Sequence, residues 1–142
     1  MVLPDVNVLI FAFDETSPQH KRCLRYVEEA LNSDLSFGMA ESVWSGFLRI
    51  TTNPRISSAK VSLEKSIAFL ETLRKSPNYR VILPGIGHWQ IFLGLCRETH
   101  PLANDIPDVY LAALAIESGC ELISTDHGFG RFSRLKWFNP LE

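Results

Sequence analysis

The sequence NDIPDVYLAALAIESGCELISTDHGF, residues 104–129, predicts a helix followed by a short buried strand. Pro107 and Asp108 are typical of a first helical turn, where a proline fits and a carboxylate faces the amide-rich helix end. The apolar, alanine-rich run that follows favours a helix, and Gly119 is placed to end it. The segment ELIST, residues 121–125, has the apolar character of a buried strand. The rest of the fold is predicted around this helix–strand unit.

Three acidic residues of this stretch bear on function: Asp105, Asp108 and Asp126. Asp126 follows the predicted strand directly, and open α/β sheets bind ligands and metals beyond the carboxyl ends of their strands. Asp108 shares a helix face with Ala112 and Ala115, so this face packs closely and the carboxylate needs a partner. Asp105 is placed to cap the helix, which explains it without a functional role. Asp108 and Asp126 are therefore the candidates for a site.

The remaining chain alternates short apolar segments with amphipathic helical segments. Strands are predicted at 2–6, 35–39, 79–83, 121–125 and, at one edge of the sheet, 135–138. Further helices are predicted at 18–32, 40–52, 62–75 and 88–98, a helix or strand extension at 7–13, and a loop at 56–59. This alternation predicts a three-layer α/β/α fold with a mainly parallel sheet of four or five strands. The length fits a single domain over residues 1–142.

Composition limits the class of protein. The apolar fraction of 46% and the charged fraction of 21% are typical of globular proteins. No apolar run approaches the roughly 20 residues of a membrane span, and the first apolar run lacks the basic flank of a secretory signal. The three cysteines are scattered and have no CxxC spacing. We therefore expect no membrane association, thiols that are buried or incidental, and a reducing, cytoplasmic compartment.

The net charge of −2 does not by itself indicate a nucleic-acid-binding protein. The charge is unevenly distributed, because three stretches contain basic residues but no acid: 42–63, 72–97 and 127–139. Apart from histidines, the basic residues in these stretches are Arg49, Arg55, Lys60, Arg74, Lys75, Arg80, Arg97, Arg131, Arg134 and Lys136. Such stretches beside an acidic metal site would suit a phosphodiester substrate. Ordinary scattered surface charge explains them equally well.

Four acids follow predicted strands or begin predicted helices at one edge of the sheet: Asp5, Glu41, Asp108 and Asp126. Helix capping or the helix dipole explains each of them individually. Together they are harder to explain, because clustered carboxylates raise each other's pKa unless a cation holds them. Hard oxygen ligands select Mg²⁺ or Mn²⁺. Such an ion activates water and stabilises the displacement at a phosphodiester, so the pattern predicts a metal-dependent phosphodiesterase.

Four segments in order resemble the PIN-domain ribonucleases, and within them the VapC-type toxins of bacterial toxin–antitoxin pairs. The segments are DVNVLIFAF (5–13), AESVWSGFLRITTNPRI (40–56), IPDVYLAALAIESGCELISTD (106–126) and HGFGRF (127–132). The resemblance covers nearly the whole chain. It implies a PIN-like fold and a Mg²⁺- or Mn²⁺-dependent endoribonuclease. It also implies a homodimer inhibited by a small VapB-like antitoxin whose tail covers the site.

The resemblance also assigns residues. Asp5, Asp108 and Asp126 match the metal ligands, while Glu41 matches a fourth acid that binds the ion or orients water. Asn7 and Thr125 fit the polar support around the first and last acids, whereas Asp105 does not carry over firmly. Many relatives have an acid two residues beyond Asp126, where this chain has Gly128, which leaves a second metal open. Arg131 and Arg134 are the expected contacts to RNA backbone phosphates.

Two other functions are considered. The first is a catalytically silent PIN-fold module that binds a protein, with the acids serving as helix caps. The complete acid set counts against this alternative. The second is a phosphatase that forms an aspartyl-phosphate, which would require an acid two residues after Asp5. That position is Asn7, so this function is disfavoured.

Overall fold

A five-stranded, all-parallel sheet runs through the middle of the protein. The computed structural model describes residues 1–55 and 62–142. Its strands are β1 (Val2–Pro4), β2 (Phe37–Ala40), β3 (Tyr79–Ile82), β4 (Glu121–Ile123) and β5 (Trp137–Phe138). Their order across the sheet is β3-β2-β1-β4-β5. The predicted three-layer α/β/α fold is confirmed, with the larger of the two predicted strand numbers.

The helices cover both faces of this sheet. In the described residues they are α1 (Val6–Phe13), α2 (His20–Leu31), α3 (Glu41–Thr51), α4 (Leu63–Arg74), α5 (His88–Thr99) and α6 (Ile106–Ser118). Helix α1 packs on α2 and α3, α3 packs on α4, and α5 packs on α6. Segment 7–13, for which the sequence left helix and strand open, is thus part of a helix. Within the part of the chain that the structure describes, no helix is both long and apolar enough to cross a membrane.

Strand β1 lies at the centre of the sheet, between β2 and β4. Its residues Val2, Leu3 and Pro4 pair with Glu121, Leu122 and Ile123 of β4, and Val2 also pairs with Phe37 of β2. All three residues of β1 are buried, as expected for a parallel strand covered on both faces. The chain segments that follow β1, β2 and β4 therefore leave the sheet side by side.

The local signals for α4 and α6 act as the sequence predicted. Ser62 caps α4 by accepting a hydrogen bond from the backbone nitrogen of Lys65 at 3.2 Å. Gly119 ends α6 in the left-handed region, with a φ of 67° that glycine adopts without a steric penalty. The chain then reverses into β4, so the amino end of α6 lies at the same edge as the carboxyl ends of the strands. Asp108, in the first turn of α6, is brought to that edge.

The predicted start of α2 is wrong by two residues, since the helix begins at His20 and not at Pro18. The Ser17 hydroxyl accepts from the backbone nitrogen of Gln19 at 3.2 Å and donates to its Oε1 at 2.8 Å. Ser17 therefore closes a turn before the helix instead of capping it, a local bond that serine commonly forms. The loop predicted at 56–59, together with Lys60, lies outside the described residues.

Aromatic rings fill the core beside α1, α3 and α4. The rings of Phe13, Phe47 and Phe69 pack in a triangle with centroid separations of 5.3–5.4 Å. Such separations are in the favourable range for aromatic pairs. Cys23 and Cys120 are buried, Cys96 is partly buried, and none of the three is in a disulfide. The prediction of buried or incidental thiols is thus confirmed.

Candidate active site

Asp5 lies between β1 and α1 and is the most buried acid of the candidate site. Its backbone nitrogen donates to the carbonyl of Ile123 at 2.8 Å, which continues the pairing with β4 by one residue. Its Oδ1 accepts from the backbone nitrogen of Val6 at 2.6 Å, and its Oδ2 accepts from the Ser124 hydroxyl at 2.8 Å. The side chain is held in one orientation with only 7% of the residue exposed. Capping of α1, the simpler explanation of Asp5, is therefore real but uses only one of its two oxygens.

Ser124 connects the groups around Asp5. Its fully buried hydroxyl donates to Asp5 and accepts from Asn7 Nδ2 at 3.1 Å and from the backbone nitrogen of Asp126 at 3.0 Å. A serine hydroxyl has one donor and two acceptor positions, and all three are used here. The Ser124 carbonyl also accepts from Trp137 Nε1 at 3.0 Å. This network links the ends of β1 and β4 to the acids that follow them.

Asn7 bridges the same two chain segments. In addition to its bond to Ser124, its Oδ1 accepts from the backbone nitrogen of Thr125 at 3.4 Å. Thr125 is partly buried and takes part in this contact through its backbone. Both residues thus lie within the polar network around Asp5.

Asp108 projects from the first turn of α6 with its side chain about one-third exposed (32%). Ala112 and Ala115, on the same helix face, are completely buried, so the close packing predicted for this face is confirmed. Asp108 Oδ2 lies 3.8 Å from Arg131 Nη2. The packed face thus directs Asp108 towards a cationic partner at the edge of the sheet.

Asp126 begins a 3₁₀ turn, His127–Arg131, and is exposed. Its Oδ1 accepts from the backbone nitrogen of Gly128 at 2.7 Å, which is the turn-capping bond that the sequence suggested. The backbone nitrogen of Asp126 is bound by Ser124, so the residue is fixed relative to Asp5. The capping bond uses one of the two carboxylate oxygens of Asp126.

Asp108 and Asp126 act electrostatically on their acidic neighbours. Burial raises the pKa of Asp5 to about 6 although the hydrogen bonds from Ser124 and Val6 lower it, and the charges of Asp108 and Asp126 add smaller upward contributions. Burial also raises the pKa of Asp108, and the Asp126 charge adds to this increase while Arg131 opposes it. A carboxylate whose pKa is raised by neighbouring carboxylates lies where a cation would be stabilised.

Glu41 lies apart from these three. It is the exposed first residue of α3, directly after β2, and lines a shallow pocket of about 180 Å³ together with Leu83, Pro84 and Tyr110. The charges that act on Asp5 come from Asp108 and Asp126 instead. The structure thus places Asp108 and Asp126 where their charges act on Asp5, and it places Glu41 at the end of the neighbouring strand β2.

The prediction that the Asp105 side chain caps α6 is wrong, although the residue does lie at the predicted position directly before the helix. Asp105 immediately precedes α6, but its side chain makes no capping hydrogen bond. Its backbone is already helical, with φ −78° and ψ −20°, because a 3₁₀ turn, Ala103–Asp105, leads into the helix. Its Oδ2 instead lies 3.4 Å from the backbone nitrogen of Leu102. Asp105 is exposed and its charge contributes to the raised pKa of Asp108.

Comparison with known proteins identifies the family. The family model described as PIN domain matches residues 2–135. The chain belongs to the PIN domain family. Ribonucleases VapC43 and VapC33 of Mycobacterium tuberculosis are each 34% identical to it over 142 residues, which is the whole chain and 97% and 99% of those proteins. A structure of VapBC-1 from nontypeable Haemophilus influenzae superimposes with a TM-score of 0.69 at 18% identity and full coverage of both chains. The resemblance to VapC-type PIN domains is thus confirmed, and the structural neighbour has the same fold.

The acids of this PIN domain suit a hard divalent cation in chemistry but are not arranged as a closed set of ligands. Within residues 1–55 and 62–142, no three His, Cys, Asp or Glu side chains stand close enough together to hold a metal ion. Both oxygens of Asp5 accept a hydrogen bond, yet a carboxylate has about four acceptor positions and therefore retains free ones. The residues present therefore fit such an ion by the chemistry of their oxygen donors.

Ser124 is the residue of this PIN domain site that the sequence did not reveal. A serine in ELIST reads as a strand residue, and no motif distinguishes a serine that binds two acids from one that is simply buried. Only its position in the chain could have revealed it. Ser124 comes directly after the strand that pairs with β1 and directly before Thr125 and Asp126.

Proposed function

We propose that this PIN domain is a divalent-metal-dependent endoribonuclease, the toxin of a toxin–antitoxin pair. The observation that carries the proposal is the group of Asp5, Asp108 and Asp126 at the edge where the central strands end, in which the charge of Asp126 raises the pKa of both other acids and that of Asp108 raises the pKa of Asp5. The chain is also 34% identical, over its whole length, to proteins named as VapC ribonucleases. Neither fact alone would specify a substrate. Together they favour RNA and a metal-assisted reaction.

Asp5, Asp108 and Asp126 are the proposed ligands of Mg²⁺ or Mn²⁺, which oxygen donors select. When bound, such an ion would supply a more acidic water and stabilise the charge that builds on the phosphate oxygens. Asp5 contributes a carboxylate that Ser124 and Val6 hold in a fixed orientation. Ser124, Asn7 and Thr125 keep the two strand ends together, which preserves the spacing of the acids.

Glu41, at the end of β2, is proposed to orient the attacking water from the side of the shallow pocket. In the reaction the water oxygen adds to phosphorus, one phosphorus–oxygen bond of the RNA backbone breaks, and the departing oxygen takes up a proton. Arg131 and Arg134 are the proposed contacts to the phosphate backbone. Arg131 is well placed for this role because it already faces the acidic group.

The proposed partners are an RNA substrate, a VapB-like antitoxin and a second copy of this chain, in the cytoplasm. The relatives named VapC and the structural neighbour named VapBC-1 support a toxin–antitoxin assignment. An antitoxin would inhibit by covering the carboxyl edge of the sheet.

Cleavage of RNA by the purified chain with Mn²⁺ tests the proposal. Asp108→Asn removes one charge from the site and should lower the cleavage rate on the order of 100-fold or more. The matched control is Glu64→Gln, which neutralises the exposed first-turn acid of α4 and should leave the rate unchanged. Equal cleavage by wild type and Asp108→Asn would rule out the assigned site.

A catalytically silent PIN-fold module that binds a protein is the second candidate. The open arrangement of the acids favours it, because no three of them in the described residues form a ready ligand set. This candidate predicts that the wild-type chain binds an antitoxin but neither binds Mn²⁺ nor cleaves RNA. Calorimetric titration with Mn²⁺ separates the two candidates before any RNA is identified.

A further inference from the structure

The lack of a side chain at Gly128 creates a space that the head of Arg131 occupies. A Cβ atom placed on Gly128 would lie 3.0 Å from Arg131 Nη1 and 3.0 Å from Asp126 Oδ1. Contacts this short are tighter than nine in ten of those that real Cβ atoms make, so a neighbouring group would have to shift by a few tenths of an ångström. The guanidinium therefore lies against the backbone of Gly128, in a position that a larger residue would crowd.

Two further contacts fix the same guanidinium. Its Cζ lies 4.6 Å from the centroid of the Phe132 ring, and Phe132 is buried. Its Nη2 lies 3.8 Å from Asp108 Oδ2. Arg131 also belongs to the 3₁₀ turn that Asp126 caps through Gly128. One short turn thus carries both an acid of the candidate site and the cation that faces it.

A surface ion pair alone would not justify a functional role, because such pairs contribute little and recur on most proteins. Arg74 provides a comparison within this chain, since it lies 3.9 Å from Glu71 Oε1 and 5.7 Å from the centroid of the Trp44 ring. Arg74 pairs with an isolated acid on its own helix. Arg131 pairs with an acid from a different element, and the charge of Asp126 also acts on that acid.

We propose that Arg131 is a built-in counter-ion of the acidic site, seated in the space left by Gly128, which occupies the position of an outer cation and limits the site to one divalent ion. The inference rests on the proposed function, in which Asp5, Asp108 and Asp126 hold that ion. Arg131 then has two opposing effects. Its charge disfavours the metal ion, while its planar head remains available to bind the RNA phosphate that neutralises both cations.

These effects predict an unusual combination of changes in Arg131→Gln. Loss of the positive charge should make Mn²⁺ bind about three- to tenfold more tightly, the effect of one partly exposed ion pair. Loss of the phosphate contact should slow RNA cleavage on the order of 100-fold. If Arg131 had only a structural role, its replacement would weaken Mn²⁺ binding and RNA cleavage together. Arg131→Lys should restore the Mn²⁺ affinity but recover little of the cleavage, since lysine lacks the planar head.

The experiment is a calorimetric titration of chelator-treated protein with Mn²⁺, alongside RNA cleavage by the same samples. Wild type should bind one ion per chain, and the control Arg74→Gln should match it. Two ions bound to wild type, or Mn²⁺ affinity in Arg131→Gln that is equal to or weaker than that of wild type, would overturn this inference alone. Absence of Mn²⁺ binding by wild type would overturn the proposed function as well.

Discussion

Replacing Asp5 with asparagine should stabilise the metal-free protein at neutral and alkaline pH while removing a proposed metal ligand. Asp5 is 93% buried and its pKa is raised to about 6, so its ionised form is unfavourable in the folded protein. Burial and the charges of Asp108 and Asp126 disfavour the ionised form of Asp5, and its two hydrogen bonds offset this only in part. Asparagine has nearly the same shape and no charge. The substitution therefore separates the cost of the charge from the packing of the side chain.

The magnitude follows from the difference in pKa between the folded and unfolded states. The ordinary pKa of 3.8 rises to about 6 on folding. At about 1.4 kcal/mol per pKa unit, ionised Asp5 lowers the free energy of unfolding by about 3 kcal/mol. Because the folded pKa is the higher one, this loss is absent below about pH 4, develops as the pH rises, and is complete above about pH 6.

Asparagine at position 5 avoids this loss, but it has one acceptor oxygen in place of the two that accept from Val6 and Ser124. The loss of one hydrogen bond costs about 1 kcal/mol. At pH 8 the variant should therefore be about 2 kcal/mol more stable than wild type, and at pH 4 about 1 kcal/mol less stable.

Urea unfolding in the presence of a chelator, from pH 4 to pH 8, measures this difference. Asp34→Asn is the control, because Asp34 is an exposed acid in a loop and should give a difference near zero at every pH. The measured quantity is the stability of each variant minus that of wild type. If this difference for Asp5→Asn is the same at pH 4 and pH 8, the raised pKa and the reasoning built on it are wrong.

Two further substitutions test the contacts that hold the edge of the sheet. Ser124→Ala should lower the free energy of unfolding by about 2–3 kcal/mol, because it removes a hydroxyl that donates to the buried Asp5 carboxylate and accepts from two nitrogens. Urea unfolding at pH 7 measures this change. A loss below about 0.5 kcal/mol would contradict the hydrogen-bond network around Ser124. Gly85→Ala places a Cβ 2.7 Å from Glu117 Oε1, whose carboxylate accepts from the backbone nitrogens of Gly85 and Gly87. We expect a loss of about 1–3 kcal/mol that largely disappears when Glu117→Ala is the background, as a double-mutant cycle would reveal.

The order of strands and helices was predictable because the signals that set it are local. Ser62 caps α4 and Gly119 ends α6 through contacts within a few residues of sequence, so their residue types are informative. The start of α2 was missed because a serine followed by proline serves a turn as well as a helix start. At Asp105 the position was right, but a preceding 3₁₀ turn changed the backbone angles on which capping depends.

The candidate site was only partly predictable because its contacts are distant in sequence. Asp5 and Ser124 are 119 residues apart, and their hydrogen bond exists only because β1 pairs with β4. The sequence placed four acids at the ends of strands or starts of helices. It did not specify the direction of each side chain, so it could not tell that the charges acting on Asp5 come from Asp108 and Asp126, whereas Glu41 begins α3 after the neighbouring strand.

Gly128 illustrates why an absence in a sequence is difficult to interpret. At the sequence level it marks the loss of an acid, which implies a site with less negative charge. In the structure the same position admits a guanidinium that contacts Asp108, so the site loses one negative charge and gains one positive charge. The two changes act in the same direction, because each reduces the attraction for a second divalent ion. Gly128 and Arg131 should therefore be substituted together in any attempt to build a two-metal site here, since restoring the acid alone would create a new partner for Arg131.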